Sequence, residues 1–198
     1  PDSGLHIPGA KSIVIESYSP SSIRLTFNNQ DSQDSIAVLR IENGDSSSFS
    51  IIKNSDEYFI DNQNIVPNNN YNYSARYITE SGQSDSIAGS ISHVFLGIDN
   101  LILDAINENS INISWEYDIQ ENFEKSYEDL NWEIVRQKYN SVSDNWDELE
   151  NILFSASVSL DNHYEYLDTE NIELDDHLKY SVSLKIDNLN SDITSDSI

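Results

Sequence analysis

The sequence predicts an all-β chain of two tandem antiparallel β-sandwiches, and three observations predict it. Apolar and polar residues alternate with period two over short runs, the pattern of half-buried strands. Turn-forming residues interrupt those runs at intervals of about ten residues, with little helical periodicity. The chain also contains itself twice, and a repeat of this kind governs the whole architecture.

The repeat is plainest in "SIRLTF" (Ser22 to Phe27) and "SINISW" (Ser110 to Trp115). Ile23, Leu25 and Phe27 point one way, as do Ile111, Ile113 and Trp115, each pair 88 positions apart. Upstream, Ile13 and Ile15 match Leu101 and Leu103 at the same offset. The next pair, "SIAVLR" (Ser35 to Arg40) and "NWEIVR" (Asn131 to Arg136), is offset by 96, so the second copy has gained about eight residues. Ile36 and Val38 there face inward with Trp132 and Ile134. Finally "YNYSARYI" (Tyr71 to Ile78) matches "YSVSLKID" (Tyr180 to Asp187) at an offset of 109, a further gain of about thirteen. Inward positions become Tyr71, Tyr73, Ala75 and Tyr77 against Tyr180, Val182, Leu184 and Ile186. The expected organisation is a linker over 1–10, one sandwich over 11–96, and a second over 97–198 carrying two insertions. The short connector "SHVFLGIDN" predicts a stiff hinge. Phe27, Trp115, Trp132, Tyr71 and Tyr180 are the expected ring-bearing core positions.

Charge narrows the function. The 198 residues carry 35 acidic and 10 basic side chains, a formal net charge of −25. Such a field repels phosphate backbones and anionic headgroups, so nucleic-acid and membrane-surface roles are disfavoured. It divides unevenly: residues 1–96 hold 11 acidic and 5 basic groups, net −6, and residues 97–198 hold 24 and 5, net −19. No apolar run approaches the roughly 20 residues needed to cross a bilayer, so no membrane insertion is expected. There is no Cys, which removes disulfides and thiolate metal sites. Opening at Pro1 without a signal-peptide pattern, the chain reads as a mature product or a piece of a longer polypeptide.

Catalytic and cofactor chemistry is not indicated. The four His (His6, His93, His163, His177) lack metal-ligand spacing, and "DDH" (Asp175 to His177) sets neighbours that diverge on a strand or turn. No glycine-rich phosphate loop or nucleophile elbow occurs. Paired carboxylates abound, but nothing marks the partly desolvated pocket a general acid needs. "SDNWDELE" (Ser143 to Glu150) and "DIQENFE" (Asp118 to Glu124) are acidic enough for loose calcium binding, although no Asp-rich calcium loop appears. Two sequons, at Asn72 and Asn112, fall on the outward phase of their strands.

The second copy's insertions are where recognition is expected. In "EYDIQENFEKSYEDLN", Phe123, Tyr127 and Leu130 fall at helical spacing and predict a short amphipathic turn at the sandwich edge. In "NWDELENILF", Trp146, Leu149, Ile152 and Leu153 repeat that rhythm. Aromatics on loops often carry binding energy, which makes Phe123, Tyr127 and Trp146 the candidate binding residues. The competing expectation is that both apolar stripes dock on their own sandwich or on the neighbouring copy.

The order of features resembles the fibronectin type III module. An aromatic residue ends the second strand at Phe27 and Trp115, and Ile36 and Trp132 begin the third. The family's Leu-x-Pro-x-x-x-Tyr mark is matched by Ile65, Pro67 and Tyr71, and by Leu174 and Tyr180 with Asp176 where Pro is usual. "ESGQSDS" (Glu80 to Ser86) is similar to its last interstrand loop. An immunoglobulin-like sandwich is the neighbouring alternative. The resemblance implies a tyrosine whose hydroxyl bonds back to the corner backbone. It also implies a non-catalytic spacer or assembly module of an extracellular, cell-surface or virion protein, such as a phage tail or microbial surface protein. Its partners would be other protein domains or copies of itself. Two alternatives are a recognition module gripping a glycan or protein through the second copy's loops, and an accessory domain of a secreted polysaccharide-degrading enzyme.

Overall fold

The computed structural model describes residues 12–28, 35–42, 45–53, 58–80, 82–173 and 175–198, so the expected linker over 1–10 and Leu174 lie outside the described residues. The chain divides into two compact units, Pro1–Val94 and Phe95–Ile198.

Unit 1 runs β1 (Ser12–Ser19), β2 (Ser22–Asn28), β3 (Ser35–Glu42), β4 (Asp45–Lys53), β5 (Tyr58–Asp61), β6 (Asn69–Thr79), β7 (Gly82–Gln83) and β8 (Ile87–His93). One sheet has the order β1-β2-β5; the other has β4-β3-β6, with β7 and β8 both pairing β6. Period-two alternation decides what enters between them. Ile23, Leu25 and Phe27 of β2 face Ile36 and Val38 of β3 and Tyr71, Tyr73, Ala75 and Tyr77 of β6, all buried in one core. Ile13 and Ile15 sit opposite Phe27 and Leu25 and pack at its margin.

Unit 2 repeats that plan with β9 (Asp99–Asn107), β10 (Ser110–Glu116), a single helical turn α1 (Ile119–Asn122), β11 (Asp129–Asn140), β12 (Asn145–Ser157), β13 (His163–Asp168), β14 (Leu178–Ile186), β15 (Leu189–Asn190) and β16 (Thr194–Ser197). Its sheets are β13-β10-β9 and β12-β11-β14, with β15 and β16 on β14. Trp115 and Trp132 are fully buried and meet edge to face with ring centroids 5.2 Å apart. Tyr164 stacks on Trp115 at 6.3 Å. Such ring pairs add roughly 0.5–1.5 kcal/mol beyond the area they bury. Gly97 lets the chain lie against the 192–194 segment, since a Cβ there would come 2.8 Å from the Asp192 carbonyl oxygen.

The two insertions take forms other than the expected ones. Asp118 caps α1 by accepting from the Gln120 N–H at 2.8 Å, and Phe123 ends it in an extended conformation, so Phe123, Tyr127 and Leu130 do not share a helix. The second insertion is strand throughout. Its apparent helical rhythm comes from a β-bulge: the ladder slips between Arg136 and Gln137, leaving Leu149 as an extra residue between Glu150 and Glu148. One extra residue turns the spacing of Trp146, Leu149 and Leu153 into intervals of three and four, which imitates a helix.

Register corrects one further expectation. Arg40 pairs Tyr73 in unit 1 and Arg136 pairs Tyr180 in unit 2, so Tyr180 is the counterpart of Tyr73, at an offset of 107. The offset of 109 that aligned Tyr180 with Tyr71 is out by two. A shift of two leaves every side chain on the same face, so alternation alone could not exclude it.

Candidate recognition surface of the second unit

One buried polar cluster in each unit holds its two sheets together. In unit 1, buried Arg40 on β3 donates from Nη1 to Asp61 Oδ2 at 2.7 Å and to the Gln63 carbonyl at 2.8 Å. The Tyr73 hydroxyl donates to the same Asp61 oxygen at 2.9 Å, and the Gln63 N–H to the other at 3.1 Å. Unit 2 builds the same clasp from Arg136, Asp168 and Tyr180. Arg136 Nη1 donates to both Asp168 oxygens, at 3.0 and 2.7 Å, and to the Glu170 carbonyl at 2.6 Å. Tyr180 donates to Asp168 at 2.7 Å, and Arg136 Nη2 reaches Glu150 at 3.0 Å. In each unit the Arg and Tyr belong to one sheet and the Asp to the other. Burial, then the neighbouring carboxylate, drives both phenols far above their ordinary range. They stay neutral donors.

Corners differ. The Tyr71 hydroxyl accepts from the Val66 N–H at 2.9 Å and donates to the Val66 carbonyl at 3.0 Å, closing the corner as expected. Tyr180 serves the clasp instead, and Leu178 stands at the Tyr71 position.

The candidate binding residues are not brought together. Phe123 is only 2% exposed and meets Phe95 edge to face at 5.3 Å, so its ring has no face left for a partner. Tyr127 is half-buried against the unit 2 core, with Lys125 Nζ 5.1 Å from its ring centroid. Trp146 lies at the tip of the β11–β12 hairpin. That hairpin is longer than its counterpart: the paired residues Arg40 and Ser48 stand eight positions apart, Arg136 and Glu150 fourteen. Trp146 meets Tyr139 across the strands at 5.5 Å, and His177 stacks on Tyr139 at 6.4 Å. The Tyr139 hydroxyl bonds Asp144, and Asn140 donates to Asp147 at 2.7 Å. Sequence reasoning missed Tyr139; its place opposite Trp146 depends on a turn whose length no spacing rule fixes.

The acidic stretches are largely engaged with protein groups. Asp118 caps α1 and accepts from Asn162 at 2.9 Å, and Glu150 pairs Arg136. Asp176 of the "DDH" segment pairs Lys138. Among the described residues no group of three or more carboxylate or imidazole side chains is placed to hold a metal ion. Asn72 is exposed and Asn112 half-buried on their strands.

The deciding topological observation is the fourth strand. β4 and β12 pair with β3 and β11, so each sandwich divides into a sheet of three strands and a sheet of five, whereas the constant-type immunoglobulin arrangement adds its fourth strand to the other sheet. Each unit is a fibronectin type III-like sandwich. Neither a protein-family model nor a curated protein matches the chain in sequence. Solved structures similar to this tandem fibronectin type III-like chain include a two-domain fibronectin type III segment from chicken tenascin, 10% identical over 96% of this chain and 99% of that one, with a TM-score of 0.45. The chicken interferon gamma receptor alpha chain is 12% identical over 97% and 98%, with a TM-score of 0.42.

Proposed function

We propose that the chain is a non-catalytic structural module of a larger extracellular or virion-surface protein. The duplicated Arg–Asp–Tyr clasp carries this reading: in both units the buried ionisable groups tie sheet to sheet, an arrangement that resists opening without any disulfide. Incubation with panels of glycoside, ester and phosphate substrates is expected to give no turnover. Turnover abolished by a single carboxylate substitution, such as Glu148→Gln, overturns the reading.

The extended hairpin favours a second role beside the first. Only unit 2 carries the tip with Tyr139 and Trp146, which supports recognition of a glycan or protein there. Glycan-array and pull-down screens with Tyr139→Ala and Trp146→Ala test it; ligands retained by both variants argue against this surface.

A further inference from the structure

Strand β12 is the longest edge strand among the described residues. Twelve of its thirteen residues pair β11, all but the bulged Leu149, and among the described residues nothing pairs the other side. Natural sheets blunt such edges with Pro, Lys, charge or brevity. The segment Asn151–Ser157 has no charge, Pro or Gly. The opposite sheet's edge strands β13 and β9 have six and nine residues, and β15 and β16 have two and four.

The outward face of β12 supplies side-chain recognition beside that backbone. Leu153 is 70% exposed and Leu149 47% exposed. Next to Leu153 lies a groove of about 360 Å³, lined by Asn131, Phe154, Ser155, Lys185 and the 187–188 turn. Toward the tip stand Trp146, Tyr139 and the exposed Glu148, with Asp144 bonded to the Tyr139 hydroxyl. Aromatic faces flanked by carboxylates favour a Lys or Arg side chain. The unit's net charge of −19 opposes a second copy of itself and draws in a cationic partner.

We propose that β12 accepts an extended, Lys- or Arg-bearing segment of another polypeptide as an added antiparallel strand. Its apolar residue sits beside Leu153, and its basic residue lies about six positions toward its C-terminus, over Trp146 and Glu148. Main-chain bonds give affinity, and the two anchor positions give direction. This deepens the recognition reading of the hairpin and depends on it.

The test uses the full chain and three end-blocked synthetic decapeptides of alternating Val and Thr: one with two Lys near the C-terminus, one with them near the N-terminus, and one with Glu in place of Lys. The first peptide is expected to slow amide hydrogen exchange within 145–157 at least tenfold. Its affinity should fall about tenfold with Leu153→Lys and with Glu148→Lys, two exposed positions whose substitution leaves the fold intact, and should fall with added NaCl. The reversed peptide should bind several-fold more weakly. Equal binding of the Glu peptide, protection confined to other strands, or self-association through β12 without peptide each overturns the proposal. If no decapeptide binds while Trp146→Ala still abolishes capture of a glycan, strand addition fails and the recognition reading survives.

Discussion

At the corner before its sixth strand, unit 1 uses Tyr71 to bond both polar groups of Val66, and at the matching place unit 2 has Leu178. Inside, the clasps correspond residue for residue: Arg40, Asp61 and Tyr73 match Arg136, Asp168 and Tyr180, with Arg136 also reaching Glu150. The shared device crosses between sheets, while the variable one fastens a corner to itself. A chain without disulfides cannot lose the link between its sheets, but it can lose a local brace when packing replaces it.

The sharpest way to break this comparison is to remove the shared carboxylate. Asp61→Leu and Asp168→Leu each take from a buried guanidinium the buried carboxylate it bonds; the first should cost unit 1 about 3–5 kcal/mol, and the second should cost unit 2 less because Arg136 keeps Glu150. All three Trp lie in unit 2, so tryptophan fluorescence during denaturation follows that unit alone, and hydrogen exchange follows both. Adding Arg40→Met to Asp61→Leu, or Arg136→Met to Asp168→Leu, should recover most of the loss. If either single substitution is neutral, the clasp is not what holds that unit.

The clasp has a signature in the sequence. Arg40 and Arg136 end the very segments that revealed the repeat, on the inward phase set by Ile36, Val38, Trp132 and Ile134. A charge on that phase requires a buried partner. "DNQNI" (Asp61 to Ile65) and "DTENI" (Asp168 to Ile172) also repeat, with Asn64 and Asn171 both left-handed at φ of 54° and 50°. Strand existence and core faces follow from alternation, which a single sequence records directly. Register within two residues, a bulge, and the partner of Trp146 depend on hydrogen bonds between distant strands, which alternation does not encode.

A smaller effect separates the corners. Tyr71→Phe removes both bonds to Val66 and should destabilise unit 1 by about 1–2 kcal/mol. Tyr73→Phe takes a hydroxyl from Asp61 and should cost more, because that bond is charge-assisted and buried. Equal losses in chemical denaturation would mean that corner and clasp contribute alike.

Acid should separate the units as well. His93 is buried in unit 1, with Ser17 Oγ 2.9 Å from Nδ1 and the Pro20 carbonyl 2.9 Å from Nε2, an arrangement that suits neutral imidazole with its proton on Nε2. Burial lowers its pKa below the ordinary 6.5, outweighing the bond to Pro20. Between the ordinary value and the lowered one, the unfolded chain binds a proton that the folded chain refuses. Stability of unit 1 therefore falls as pH drops through that window and is unaffected by His93 above it. His163 and His177 of unit 2 are exposed. Unit-resolved hydrogen exchange from pH 7.5 to about 5.5 should show unit 1 weakening first, and His93→Gln should remove the slope. A slope that persists in His93→Gln assigns it to other groups.

The smallest expected effect concerns charge spread over the surface. Residues 97–198 carry net −19 against −6 for residues 1–96, and most of that excess lies on exposed strands and turns. Self-repulsion of this kind acts over about 10 Å at 0.1 M salt and is screened progressively above it. The melting temperature of unit 2 should therefore rise between about 0.05 and 0.5 M NaCl, and that of unit 1 should rise less. The buried clasps are shielded from ions and should not weaken over the same range. A flat response from unit 2 would mean that its acids are already balanced by local pairs such as Lys138 with Asp176. A fall would mean that those pairs outweigh the repulsion around them.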